Sequence, residues 1–314
     1  MWRFFFIIIF VLSLAGCSVT IDSKNSESNS DELSQEQQQK DETNGTDSVA
    51  EQDSEQNQDS NGFIDLLENV FNIDWSTRVD IEARDVRYLA LGDSLTRGVG
   101  DETQEFGYTI RLQKELEKWP AVKQVELDNR GKNGRRSDQL LGLLQKGHYD
   151  EEIAEADLIT LTLGGNDVMK VVKKHLFSMQ KSMFDKQLPK FMVNYEEIMS
   201  EIRMRNPEVP IILVGFYNPF SIIVDETTPF DPIIHEWNIE IEKMAQQDEN
   251  ACFVSIEDLF TSNEDMVYHV DFFHPNSAGY DRMTRRIIET MQQCNIKEMS
   301  DGLFGFEEWE NGNE

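Results

Sequence analysis

Five short apolar runs, at residues 86–91, 125–129, 158–163, 211–216 and 252–256, are separated by segments whose apolar residues recur at helical spacing. Runs of this length that are apolar on both faces belong inside a sheet covered on two sides. Alternation with helices makes that sheet parallel, because a parallel strand needs a crossover long enough to hold a helix. The helical pattern falls at 108–119, 137–145, 168–205, 232–247 and 277–293. The expected architecture is a three-layer α/β/α sandwich over residues 86–296, entered through a lead-in segment at 63–85.

In an open parallel sheet, functional groups gather just beyond the carboxyl ends of the strands. After the first run stands GDSLT (92–96), after the second NRGKNGRRS (129–137), after the third GGND (164–167) and after the fourth FYNPF (216–220). The fifth leads, through a longer segment, to DFFHPN (271–276). Turn chemistry accounts for any one of these clusters, since Gly, Asn and Asp dominate turns. It does not account for the set.

Ester hydrolysis by a serine needs a nucleophile, a base, an acid that orients the base, and donors for the oxyanion. Ser94 supplies a hydroxyl, His274 an imidazole, and Asp271, three residues earlier, a carboxylate for the other ring nitrogen. Asn166 offers a side-chain amide; Gly134 and Ser94 offer backbone N–H groups. Of the other histidines, His148, His175 and His235 fall on or between helices, and His269 precedes Asp271 inside an apolar segment. A phosphate-binding loop is a poor alternative, because GDSLTRGVG has neither the lysine of GxxxxGK[ST] nor the third glycine of GxGxxG. No HExxH or paired Cys/His spacing calls for a metal, and no cofactor is expected.

GDSL (92–95), Asn129 to Gly134, GGND (164–167) and DxxHPN (271–276) resemble, in order and spacing, the four blocks of the SGNH or GDSL hydrolases. The resemblance implies a flavodoxin-like five-stranded parallel sheet of order 2-1-3-4-5. It makes Ser94, Asp271 and His274 the catalytic triad, and Ser94, Gly134 and Asn166 the oxyanion donors. The second block departs from the family pattern. It reads Asn133-Gly134-Arg135-Arg136, so Gly131 competes with Gly134, and the two arginines either meet an anionic substrate group or stand in solvent.

The ends of the chain are of another kind. Residues 1–16 combine Arg3, a long apolar stretch and small residues, which is a signal-peptide pattern, and residues 14–17, Leu-Ala-Gly-Cys, resemble a bacterial lipobox with Cys17 as the lipidated residue. Residues 18–62 are rich in Ser, Asn, Gln, Asp and Glu and hold too little apolar surface to fold, so with Cys17 they form an acidic tether at 17–62. The expected protein is an extracytoplasmic lipoprotein, held to the membrane by its N-terminal lipid and closed by an acidic tail at 297–314. A formal net charge of −30 argues against nucleic acid as a partner. The lipoprotein features resemble a lysophospholipase-like branch of the family in Gram-positive bacteria.

Residues 168–208 carry Phe177, Met179, Met183, Phe184, Phe191, Met192 and Tyr195, either as the wall or lid of an acyl pocket or as the buried face of a helix. With Phe216 and Phe273, Phe177 and Phe184 are the candidate pocket residues, and Phe220 and Phe272 also flank the site. The leading expectation is an esterase for lysophospholipids or similar acyl esters. The alternatives are removal of O-acetyl groups from wall polysaccharide and an inactive binding module on the same scaffold. Cys252 and Cys294 are expected together at the far end of the sheet, as a disulfide or as two buried thiols.

Overall fold

A computed structural model describes residues 82–221, 228–261, 268–269, 271 and 273–305. The signal peptide, Cys17, the tether, Phe272 and the last residues of the tail lie outside the described residues. The strands are β1 (Arg84–Gly92), β2 (Val122–Gly131), β3 (Leu158–Thr162), β4 (Ile211–Val214) and β5 (Ala251–Val254). They form one parallel sheet of order β2-β1-β3-β4-β5. Pairing begins at Arg84, so the first strand takes in the end of the lead-in segment.

Side chains alternate between two cores. Leu89 and Leu91 of β1, Ile159 and Leu161 of β3, and Ile211 and Leu213 of β4 face one layer; Tyr88, Ala90, Ile212 and Val214 face the other. On the first face lie α3 (Ser137–Leu144), α4 (Asp150–Ala154), α5 (Gly165–Lys174), α6 (Lys181–Arg205) and α7 (Asp231–Ala245). The second is covered by α2 (Tyr108–Leu116), α8 (Ser277–Gln293) and the short α9 (Ile296–Met299). One-turn α1 (Ser94–Arg97) follows β1. β1, β3, β4 and β5 are thus apolar on both sides for a period-two reason, since both faces are core, whereas β2, at the edge of the sheet, buries only Val122 and Val125, both on the second face, and does not fit the two-sided apolar expectation.

The helical segment expected at 168–205 is two helices. His175 leaves helical geometry at φ −123° and ψ 26°, and Gln180 is extended before α6 begins. On α6, Phe184, Phe191, Tyr195, Ile198, Met199 and Ile202 are buried, packed toward α3 and α7. The apolar stripe is the helix's core face.

Packing runs past residue 296. Leu303 and Phe304 are buried, with the Phe304 ring edge-on to Trp119 at 6.0 Å. At that end of the sheet, opposite the GDSL loop, Cys252 on β5 and Cys294 after α8 form a disulfide, with a Cα–Cα separation of 6.1 Å.

Candidate active site

Gly92 closes β1, and Asp93 caps α1 by accepting the Leu95 N–H on Oδ1 at 3.0 Å. Ser94 is therefore the first residue of a tight strand-to-helix turn, and no acceptor among the described residues takes its backbone N–H. His274 reaches it from 180 positions further along the chain: Nε2 lies 2.9 Å from Ser94 Oγ. The other ring nitrogen, Nδ1, lies 2.7 Å from Asp271 Oδ2.

Asp271 is well prepared for that contact. Its Oδ1 accepts the backbone N–H groups of Phe273 and His274, each at 3.0 Å, which leaves Oδ2 for the imidazole. Burial raises the carboxyl's pKa, but the hydrogen bonds from the His274 ring and backbone and from Phe273 outweigh it and bring it down to about 2. An ionised carboxylate only accepts, so it selects the tautomer with the proton on Nδ1 and leaves Nε2 free to accept from Ser94. His269 stands on the far side of Asp271, with Nδ1 3.7 Å from Oδ1.

Asn166 lines the same cavity as Ser94 and His274. Its Nδ2 donates to Asp93 Oδ2 at 3.4 Å, a long contact easily exchanged for a better acceptor. Asp93 itself was not singled out by the sequence. It is buried; desolvation lifts its carboxyl to about 6, against bonds from Leu95 and Thr162 that favour the charge. Its position before the serine, at the mouth of a one-turn helix, was the available signal. The next residue after Asn166 ties two loops together: Asp167 accepts the Ser137 hydroxyl at 2.7 Å and the Ser137 N–H at 3.0 Å, pinning the start of α3 to the start of α5.

Gly131 and Gly134 differ in what their N–H groups do. The Gly131 N–H is committed to Asn129 Oδ1 at 2.9 Å. Gly134 is exposed and its N–H has no acceptor among the described residues, although Gly134 is not part of the cavity wall. Lys132 N–H donates to Gly92 O at 3.1 Å and so holds this loop against the end of β1.

A model of the GDSL-like lipase/acylhydrolase family matches residues 90–282, a span that begins at β1 and includes Ser94, Asn166, Asp271 and His274. The chain belongs to this family. It is 34% identical, over 65% of its length and 80% of the relative, to uncharacterized protein YpmR of Bacillus subtilis. It is 26% identical to the spore germination lipase LipC of Bacillus licheniformis, over 64% of this chain and 94% of that one. Among solved structures its fold is similar to the lipase Lip_vut3 from a goat rumen metagenome, with TM-score 0.58 and 24% identity over 67% of this chain and 97% of the other.

In this GDSL hydrolase the cavity beside Ser94 is walled by Phe216, Tyr217, Pro219, Ile234 and Phe273. Two of the four candidate pocket residues are therefore in place and two are not. Phe184 is 1% exposed and packs edge-on against Phe230 at 6.0 Å, because its position on α6 turns it into the core. Phe177 lies in the connection before α6, 74% exposed and away from the cavity wall. Phe220 is turned inward onto Phe230 as well.

The paired arginines of the second block are used internally. Arg135 is buried, donating to Arg130 O at 2.6 Å, and Arg136 pairs with Asp138 at 2.9 Å. The buried pair Arg111–Asp101 was not read from the sequence; Arg111 also donates to Asp281 Oδ1 at 2.6 Å and to Ser277 Oγ at 2.8 Å. It clamps the loop after GDSL to the helix after His274. Among the described residues, no three His, Cys, Asp or Glu side chains converge as a metal-binding group.

Proposed function

We propose that this hydrolase cleaves acyl esters through Ser94, with His274 as the base and Asp271 as the group that orients it. The supporting observation is the continuous chain Asp271–His274–Ser94, with contacts of 2.7 and 2.9 Å. His274 Nε2 takes the Ser94 proton as Oγ attacks the ester carbonyl, and the imidazolium is stabilised by Asp271. The developing oxyanion is met by the Asn166 amide and the uncommitted N–H groups of Ser94 and Gly134. His274 then returns the proton to the leaving alcohol, and the same groups activate water against the acyl-enzyme.

The acyl part of the substrate lies against an apolar wall. Two ester classes present such an acyl group, a lysophospholipid and an O-acetylated polysaccharide. The enzyme works outside the cytoplasm, tethered through residues 17–62 by acyl chains on Cys17. The basis for this placement is the lipobox-like Leu14-Ala15-Gly16-Cys17.

A fluorophosphonate probe labels Ser94 in the wild type and fails to label Ser94→Ala, and the same variant loses hydrolysis of p-nitrophenyl esters. Labelling that persists in Ser94→Ala contradicts the assignment. Incorporation of radiolabelled fatty acid into the wild type but not Cys17→Ala tests the anchor.

A further inference from the structure

The wall of the cavity beside Ser94 is fixed at one point. Phe216, 5% exposed, follows β4 and lays its ring in the space that a side chain at Gly164 would fill. A Cβ on Gly164 would come within 2.4 Å of Phe216 Cε1, and Gly164 has φ +122°. Gly165 and Asn166, the next two residues, line the cavity with Ser94. The Phe216 ring is thus pressed against the backbone that presents the Asn166 amide.

Behind Phe216 lies an aromatic cluster. Trp237 meets it edge-on at 6.4 Å, Phe191 stacks on Trp237 at 4.9 Å, and Tyr195 meets Phe191 at 5.4 Å. The ring is a partition between this cluster and the cavity. The cavity on the Ser94 side is small, about 40 Å³, and the Phe216 ring forms the part of its wall that separates it from this cluster. A short acyl group stays clear of the ring, and a longer chain directed past it meets the ring first.

The partition is also held in place. Asn238, on α7 and nearly fully buried, accepts the Phe216 N–H on Oδ1 at 3.1 Å and donates Nδ2 to the Phe216 carbonyl at 2.7 Å. Its Nδ2 lies a further 3.2 Å from Glu257 Oε2. Shifting the Phe216 backbone would leave both groups unpaired in the interior, which is costly, so Asn238 fixes the backbone from which the ring projects.

We propose that Phe216 is a steric stop that limits the acyl group to short chains, and that Asn238 is the residue that positions it. The substrate class is then a short-acyl ester, of which an O-acetylated sugar is one example. Long-chain lysophospholipids are excluded. This inference rests on Ser94 being the nucleophile.

The test is a p-nitrophenyl series, acetate, butyrate, octanoate and dodecanoate, on the full chain. The expected wild-type result is a kcat/KM for octanoate at least ~10-fold below that for the better of acetate and butyrate. Phe216→Ala raises the octanoate-to-acetate ratio by ~10-fold or more, with Phe216→Leu in between. Asn238→Ala, which leaves the ring intact, raises the same ratio because the ring is no longer held. A wild type that turns over octanoate or dodecanoate as well as acetate overturns the stop, and this reading needs no variant to fold. An unchanged ratio in a folded Phe216→Ala also overturns it. Absence of hydrolysis at every chain length, with no probe labelling of Ser94, overturns the nucleophile assignment and the stop with it.

Discussion

Gly100 has no room for a side chain beside His274. A Cβ there would sit 3.0 Å from the Cβ of His274 and 2.4 Å from the carbonyl oxygen of Pro275, and φ is +94°. The loop after the nucleophile and the loop that carries the base are thus in backbone contact, with Arg111 bridging them through Asp101 and Ser277.

Gly100→Ala is expected to push the His274 loop away from Ser94. A displacement near 1 Å lowers kcat on the order of 100-fold. KM for p-nitrophenyl acetate changes little, because the acyl wall is built elsewhere. Steady-state kinetics on a variant shown to be folded by circular dichroism checks this; a kcat within threefold of wild type means the contact does not set the geometry.

Asn166→Ala removes one oxyanion donor and is expected to cost about 3 kcal/mol of barrier stabilisation, roughly 100-fold or more in kcat. The effect is read in kcat rather than KM, since the donor acts on charge that develops only in the transition state.

Asp271→Asn reverses the hydrogen-bonding preference at His274 Nδ1 and is expected to lower kcat by ~10³–10⁴-fold. In the wild type the carboxyl is held near 2, below its ordinary value. Its favourable contribution is present above the ordinary carboxylate range and is lost only as pH falls toward 2. An acid limb of activity between pH 4 and 6 therefore does not report Asp271. Urea unfolding from pH 5 down to 2 shows a smaller loss of stability in the variant than in the wild type.

Asp167 has the opposite sign. Burial lifts its carboxyl to about 6 in spite of the bonds from Ser137, so the folded state binds a proton that the unfolded chain releases. Its contribution to stability is full below the ordinary carboxylate value and is lost as pH rises through about 6. Asp167→Asn is expected to flatten the change in stability between pH 4 and 6.5. Urea midpoints across that range check it, and an unchanged slope refutes the shifted carboxyl.

Much of the site was legible in the sequence because its parts sit at strand ends. Ser94, Asn166, Asp271 and His274 each follow a run whose apolar pattern marks a strand, and parallel strands bring those ends to one edge whatever the helices do. Asp93 and Asp167 stood in the same motifs, but their raised carboxyls come from burial that no local pattern shows. The arginines after Gly134 looked like free charges; Arg135 is enclosed because the loop folds back onto Arg130 and Tyr149.

The chain's own pattern determined the five strands and the polar loops that follow them, because side-chain periodicity and turn residues act over a few positions. Only the tertiary structure decided that Phe184 belongs to the core while Phe216 lines the cavity beside Ser94, and that Cys252 pairs with Cys294. Each of these depends on which surfaces meet across layers of the sandwich, and close packing between distant segments leaves no mark on the spacing within any one of them.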